Sequence, residues 1–348
     1  MIPIIIINWN CLEHTVECID SVLRLKGCDF TIHIIDNGSD NFEGIKLKQK
    51  FAKFKNLTVH LYTKNYGFAK AHIKIWIELF RDNPDIKYIA LLNNDTVVDK
   101  YWLKELTIAA KNGEYHIISS KMIYYYDHLL LDSAGHKMLN TGEIIPIGHG
   151  ERSQNYMTDF ENMGACAGAC LYSTEMIKKI GFFDPKFNTG YEDAEFGLRA
   201  VIYNYKCKFA SNAIVFHKIG TSVKKVFDID YNIMIQSSIF YSYFKLMPKA
   251  YLILNLPFLI LKYFAIFIID IIFIRPKYLK IQIIAIKNTW DERRQIINVR
   301  CEHNKKLKKL NWYALMKRTN FFIWFDIKRF YHQIILNKKS NIKEYNKL

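Results

Sequence analysis

No two of the seven cysteines form a CxxC pair. Cys11, Cys18, Cys28, Cys166, Cys170, Cys207 and Cys301 are an odd, scattered set. That argues against a disulfide framework or a zinc site and fits a reducing cytosol. Cys166 and Cys170 have no close His or Cys to complete a metal site, so packing of small residues is the better account of them. Both glycine-rich phosphate loops, GxGxxG and GxxxxGKS/T, are missing too, which removes the dinucleotide and P-loop readings. The apolar start Met1-Ile2-Pro3-Ile4-Ile5-Ile6-Ile7 lacks a charged leader and a cleavage site. It reads as a first strand and not a signal peptide, which leads to the expectation of a cytoplasmic protein.

Most of the chain also lacks net charge. Residues 1–274 hold 30 Lys and Arg against 28 Asp and Glu, while residues 275–348 hold 19 against 5. The overall +16 therefore belongs to a C-terminal tail and not to the body. With 348 residues, half of them hydrophobic, the chain can bury one large core or two ordinary ones.

What is present in the body is a series of apolar runs that stop at polar residues. Ile4–Ile7 is a β-branched run of the kind buried on both faces of a parallel sheet, and it ends at Asn8-Trp9-Asn10. Asn10 and Glu13 form a capping-box pattern ahead of a helix with Val16, Ile19, Val22 and Leu23 on one face. Phe30–Ile35 closes on Asp36-Asn37-Gly38-Ser39-Asp40, Leu57–Tyr62 makes a third strand, and Tyr88–Leu92 ends at Asn93-Asn94-Asp95. Strands alternating with helical patterns predict βαβ units and a mostly parallel sheet.

Asn8, Asp36 and Asp95 each stand just past an apolar run, so one carboxyl edge gathers an amide, a lone carboxylate and a metal-type pair. In open α/β sheets ligands collect at that edge. Asn93 and Asp95 can both face a divalent cation held by a phosphate, and Mg²⁺ or Mn²⁺ suits so sparse an oxygen site. An ordinary Asn/Asp turn is the competing account of that stretch taken alone. Asp36 can accept from an N–H or hydroxyl of the kind a pyrimidine base and a ribose offer.

Further on, Gly148-His149-Gly150-Glu151-Arg152 reads as a substrate loop or a plain polar connection. Gly164–Cys170 allows close backbone approach, and a short helix from Ser173 is ended by Gly181. Glu192, Asp193 and Glu195 open another helix, where acidic residues favour the macrodipole. Three carboxylates within four residues repel one another and raise a pKa, as a general base requires. Ala213–Phe216 reads as a strand ending in His217, a structural histidine or a nitrogen ligand.

Together these residues resemble a family 2 glycosyltransferase of the GT-A fold, in particular its bacterial rhamnosyltransferase-like branch. The resemblance covers residues 3–225. It implies a GT-A, Rossmann-like, mostly parallel sheet flanked by helices over residues 1–225, then a helical, basic, membrane-associating segment over 226–348. Asn8, Asn10, Asp36, Gly67 and Asn94 correspond to nucleotide-binding positions, and Asn93-Asn94-Asp95 is similar to the metal-binding DXD motif with Asn in place of the first acid. Glu192-Asp193 resembles the ED motif, whose Asp is the catalytic base. His217, with Gly220 and Ser222, is similar to the segment that contacts metal and diphosphate. His149, Arg199 and Ser222 become candidate acceptor or diphosphate contacts, with a structural ion pair the other role open to Arg199.

The implied reaction is inverting transfer of a sugar from a nucleoside-diphosphate donor to a hydroxyl of a lipid-linked or cell-surface glycan, with Mg²⁺ or Mn²⁺ as cofactor. The Gly148–Arg152 segment leans toward rhamnose.

Tyr251–Ile274 is the most apolar stretch, interrupted by Asn255, Pro257, Lys262 and Asp270. Counting from Pro257 it falls short of the roughly 20 residues a span requires. The expectation is an interfacial helix; a true span and a core helix of a C-terminal subdomain are the alternatives. The basic, aromatic-rich residues after it suit the anionic inner face of a membrane. They would also suit nucleic acid, but the body is neutral and carries no such motif, so none is expected as partner. An inactive GT-A scaffold is the remaining alternative, against which stand both Asp95 and Asp193.

Overall fold

The computed structural model describes residues 1–218, 229–306, 310–323 and 326–327, which form two compact units. The first begins β1 (Ile2–Asn8), α1 (Leu12–Val22), β2 (Phe30–Asn37), α2 (Glu43–Lys50), β3 (Leu57–Tyr62), α3 (Gly67–Asp82) and β4 (Tyr88–Asn93). β5 (Thr96–Val98), α4 (Trp102–Ala109), β6 (Ile117–Tyr124) and β7 (Leu131–Ser133) follow. After an excursion through β8 (His136–Leu139) and β9 (Ile144–Pro146) come β10 (Phe160–Asn162), β11 (Ala169–Ser173), α5 (Thr174–Ile180), α6 (Glu192–Ile202) and β12 (Cys207–His217).

Ten strands make one sheet with the path β10-β12-β6-β11-β4-β1-β2-β3, β5 and β7 lying off it. The β4-β1-β2-β3 half is parallel, as the alternation of strands and helices predicts. β11 enters antiparallel to β4 and β6, and β12 runs parallel to β6. β1 is interior because of its sequence. Ile4, Ile5 and Ile6 are all fully buried, each worth roughly 2 kcal/mol of transfer free energy. That offsets the roughly 1–2 kcal/mol needed to order each backbone residue, so burial is what holds the strand. Ile4 and Ile6 pack with Cys18, Ile19 and Val22 of α1 and with Trp102, Leu103 and Leu106 of α4. An aromatic cluster joins Tyr172 of β11 to Phe182, Phe183 and Phe196.

The capping box expected at Asn10 does not form. α1 begins at Leu12 after Cys11, with no side-chain cap. Asn10 sits at φ 51°, and its amide instead donates to Asp40 Oδ2 and accepts from the Asp40 backbone N–H. A long-range amide pair, made across to the loop after β2, has won over the local cap.

The second unit comprises 137–145, 202–204 and the described residues from 229 onward. It contains α7 (Ile229–Leu246), α8 (Lys249–Ile272), α9 (Pro276–Asp291), α10 (Arg293–Lys306), α11 (Trp312–Lys317) and β13 (Thr319–Asn320), the last paired with β8. One expectation for this region is corrected. Pro257 lies inside α8 without ending it, so the helix keeps 24 residues and is about 36 Å long. After Arg275, Ile281, Ala285, Ile296, Leu315 and Phe322 are buried.

Candidate active site

The carboxyl ends of β1, β2 and β4 meet because their register is parallel: Asn8 lies opposite Asp36, and Ile7 opposite Asn93. The Asn8 amide organises the edge. It donates to Asp36 Oδ1 at 3.0 Å, to Ser39 Oγ at 3.1 Å and to Glu43 Oε2 at 3.0 Å, and it accepts from Thr15 Oγ1 at 2.6 Å. Asn94 joins the same chain by donating to Thr15 Oγ1 at 2.9 Å. Both Asn8 and Asn94 are buried and act on the edge from beneath, while Asn10 is exposed. Asp36 is buried under Gly44, where a Cβ would stand 2.6 Å from its Oδ2.

Gly67 opens α3 at φ +74°, and a Cβ there would lie 2.1 Å from Asn188 Oδ1. The next residue, Phe68, donates its N–H to the Asn188 carbonyl at 2.8 Å. Glycine is needed at 67 for both the left-handed turn and the close approach. It ties the segment after β3 to the loop that precedes α6.

β4 ends at Asn93, and β5 then turns back to pair with the end of β12, Thr96 opposite His217. That pairing brings His217 to the metal-type pair: its Nε2 lies 3.3 Å from Asp95 Oδ1, and Lys218 donates its N–H to the Asp95 carbonyl at 2.9 Å. On its other side His217 Nδ1 lies 2.8 Å from Asp132 Oδ2. Asp132 continues to His149, whose Nδ1 is 3.3 Å from Asp132 Oδ1, and Tyr124 Oη is 3.1 Å from His149 Nε2. One polar relay, buried at Asp95, Asp132 and Tyr124 and half-buried at the two histidines, thus runs Asp95, His217, Asp132, His149, Tyr124.

Burial alone would lower the His217 pKa, but the Asp95 and Asp132 carboxylates outweigh it and raise the imidazole to about 10. Burial would raise Asp132, and its two histidine partners hold it well below the usual carboxylate range. His149 is raised as well: burial opposes the shift and Asp132 drives it.

The donor set fits a hard or borderline divalent cation. It offers one carboxylate (Asp95), one imidazole (His217) and the Asn93 amide, whose Nδ2 stands 3.1 Å from where a Cβ on Gly168 would be. A ligating imidazole is neutral, so a cation here displaces the proton that the two carboxylates hold on His217. Asp132 on Nδ1 then fixes the tautomer that leaves Nε2 free to ligate. Among the described residues no three His, Cys, Asp or Glu side chains form a closed cage, which matches a site whose remaining ligands come from a substrate.

The three carboxylates of α6 have separate surroundings. Glu195 is fully buried and paired with Arg199, 2.9 Å to Nη2. Arg199 spends its other donors on the carbonyls of Ile180, Gly181 and Phe182. Of the two roles open to Arg199, the structure gives it the ion pair. Glu192 is buried and its Oε2 has no hydrogen-bond partner. Burial, then the charge of Asp193, raises its pKa to about 8, which favours the protonated acid. Asp193 is half-buried, so the expected repulsion that raises a carboxylate pKa acts within the Glu192–Asp193 pair, while Glu195 is taken out of it by Arg199. Its Oδ2 accepts the Ala167 N–H at 3.0 Å and its Oδ1 the Ala194 N–H at 2.7 Å. The preceding Tyr191 is held at φ 75°, a strained conformation for a bulky residue of the kind that collects at functional sites.

Ala167 holds Asp193, and its neighbour Gly168 abuts Asn93 and accepts the Asn93 N–H at 2.8 Å. The small-residue segment therefore binds the α6 carboxylate and the strand-end pair to one piece of backbone. Ser222 and Gly220 lie outside the described residues.

Sequence reasoning missed Asp132, although Leu129-Leu130-Leu131 before it repeats the pattern of an apolar run ending in a carboxylate. It also missed Ser39 and Glu43 as partners of Asn8, and His136, a buried imidazole whose Nδ1 has no partner and which feels the charge of Asp193.

Comparison with solved structures gives likenesses of fold at low identity. GalNAc-T7 with UDP, GalNAc and Mn²⁺ aligns over 70% of this chain and 49% of its own, with 13% identity and TM-score 0.52. The mannosyltransferase PcManGT from Pyrobaculum calidifontis, in complex with GDP-Man and Mn²⁺, aligns over 70% and 62%, with 10% identity and TM-score 0.50. The chain thus spans about half the length of the first of these. No curated protein sequence matches it. The architecture is that of the GT-A glycosyltransferases, a central sheet flanked by helices with a helical C-terminal region added. The family model described as Glycosyl transferase family 2 matches residues 4–181, from β1 to the end of α5, which is more than half of the chain. With that match, and with its carboxyl-edge residues gathered as above, the chain belongs to glycosyl transferase family 2.

Proposed function

We propose that the protein is an inverting glycosyltransferase that moves a sugar, rhamnose being favoured, from a nucleoside-diphosphate donor to a hydroxyl of a lipid-linked or cell-surface glycan. The observation that carries the reading is the shared backbone at 167–168, which sets a half-exposed carboxylate, Asp193, beside the Asn93–Asp95 pair. Donors of this class are named with two solved relatives of the fold, UDP with one and GDP-Man with the other, each with Mn²⁺.

In this reading Asn8 and Asp36, with Asn10, Gly67 and Asn94 around them, shape the nucleotide-binding edge. Asp95, His217 and Asn93 would hold Mg²⁺ or Mn²⁺, which would supply positive charge to the diphosphate leaving group. Asp193 takes the proton of the acceptor hydroxyl, whose oxygen attacks the anomeric carbon from the face opposite the diphosphate and inverts it. Ala167 and Ala194 aim the carboxylate through their N–H groups. Glu192 is buried beside Asp193 with its pKa raised, first by burial and then by the charge of Asp193, which favours the protonated acid at that position. The acceptor lies at the cytoplasmic face of a membrane, where the basic residues after Arg275 hold the enzyme.

The test is thermal denaturation of the whole protein with UDP, dTDP and GDP, each with and without Mn²⁺. A nucleotide at a hundred times its Kd stabilises by about 2.7 kcal/mol, so the donor base and the metal requirement are read together. Stabilisation by none of the three with Mn²⁺ present would sink the reading.

A further inference from the structure

α8 is long enough to cross a bilayer and is the one such helix among the described residues. The distribution of its side chains, however, is two-sided. At about 100° per residue, its buried residues Tyr251, Asn255, Leu259, Lys262 and Asp270 fall within an arc of about 100°. The exposed apolar residues fall on the remaining surface, with Ile253 71% exposed, Ile260 61%, Phe264 63% and Ile272 66%. Ile253, Leu256, Pro257, Ile260, Leu261 and Phe264 line an open apolar groove of about 470 Å³ on that side.

Every strongly polar side chain within the apolar stretch lies on the buried arc and has a partner inside its own unit, although Asp270 Oδ2 is left without a hydrogen bond. Asn255 accepts from Asn140 Nδ2 at 3.0 Å. Lys262 Nζ lies 2.6 Å from Glu143 Oε2 and 3.2 Å from Asp326 Oδ2. Asp270 lies 3.3 Å from Arg275 Nη1. A spanning α8 would have to take Glu143 and Asp326 into hydrocarbon with Lys262 or leave that ammonium unpaired, and both are costly. A helix lying in the plane of one leaflet keeps the polar arc on the protein side and buries only the apolar arc.

The face also has cations at both ends. Lys249 at its start and Lys277 and Lys280 beyond its end are exposed, and residues 275–348 carry a surplus of basic side chains. Apolar surface bordered by cations complements an anionic lipid surface, and the two contributions together are what stable peripheral binding takes.

We propose that α8 inserts in the plane of one anionic leaflet through the face of Ile253, Ile260, Phe264 and Ile271, without crossing it. This deepens the membrane-bound acceptor reading above, yet it is tested without donor or acceptor, so failure of the transferase reading leaves its outcome untouched.

The experiment is flotation of the full chain with vesicles of phosphatidylcholine alone or mixed with phosphatidylglycerol. Binding is expected only with phosphatidylglycerol present, and Ile260→Asp/Phe264→Asp should weaken it at least tenfold with the circular dichroism spectrum unchanged. Lys277→Glu/Lys280→Glu, which leaves the apolar face intact, should weaken it as well and keeps the test valid if the first pair misfolds. Ile77→Asp on α3, at a site equally exposed, should bind as the wild type does.

Orientation is read in a Cys301→Ser background with a membrane-impermeant maleimide on vesicle-bound Lys249→Cys and Lys277→Cys. Labelling of both from outside supports the in-plane helix; protection of either one means a span and overturns the proposal. Equal binding to both vesicle types overturns it too, as does a lipid-free dimer that the Ile260/Phe264 variant converts to monomer.

Discussion

At the level of single residues, Asp193 and Asp132 make separable predictions. Asp193→Asn is nearly isosteric and can still accept the Ala167 N–H through its side-chain oxygen, so nucleotide binding should persist. Turnover should fall about 10²-fold or more, since an amide cannot take the acceptor proton. If Asp193→Asn retains most activity while Glu192→Gln does not, the base has been assigned to the wrong carboxylate. Asp132→Asn keeps the shape beside His217 Nδ1 but removes the charge that orients the imidazole. The affinity for Mn²⁺, titrated in the presence of the stabilising nucleotide, should drop about 10- to 100-fold. An unchanged Mn²⁺ affinity would mean that Asp132 serves only the fold.

Asp193 could be picked out from the sequence because three acids open one helix. Which of the three is left open to a substrate could not, because that depends on Arg199 claiming Glu195 and on the burial of Glu192.

At the level of elements, the turn at Gly67 is the most exacting local requirement. Gly67→Ala places a Cβ against Asn188 Oδ1 in a left-handed backbone, which costs about 1–2 kcal/mol in conformation and about 1–3 kcal/mol in overpacking. Urea denaturation should therefore show a loss of at least about 2 kcal/mol; a change under about 0.5 kcal/mol would mean that the two segments are not in contact in solution. The strands were legible from their apolar runs, and β3 and the helix ended by Gly181 lie where the sequence places them. The start of α1 was not legible, since the Asn10 amide answers to Asp40, thirty residues on. β7 through β10 were obscure for a different reason: at three or four residues each they are too short for a period of two to emerge.

For the whole molecule, stability should depend on pH through histidines kept neutral by burial. His72 is 2% exposed on α3, and burial lowers its pKa from 6.5 to about 4, against the hydrogen bond to the Phe68 carbonyl. The folded state then binds fewer protons than the unfolded chain between those two values. Its contribution is fully present above pH 6.5 and is lost as pH falls toward 4, by about 3 kcal/mol in all. Unfolding free energies measured across that window should slope less in His72→Leu than in the wild type; equal slopes would place the proton uptake elsewhere.

The sequence by itself determined the alternation of strands and helices, the carboxyl edge where Asn8, Asp36 and Asp95 collect, the acidic start of α6 and the basic excess after residue 275. All of these are properties of neighbours in the chain, where an apolar run and the residue that stops it are read together. Only the tertiary structure decided that His217 meets Asp95 and Asp132, that Arg199 is spent on Glu195, and that α8 turns its polar arc inward and leaves an apolar one outside. The histidine contacts depend on sheet register and on side chains 85 and more residues apart, as in the His217–Asp132 contact, and the Arg199 pair depends on the carbonyls of 180–182 that close around the guanidinium. Local pattern leaves these choices open, because the partner of a buried charge is set by whichever surface the fold brings against it.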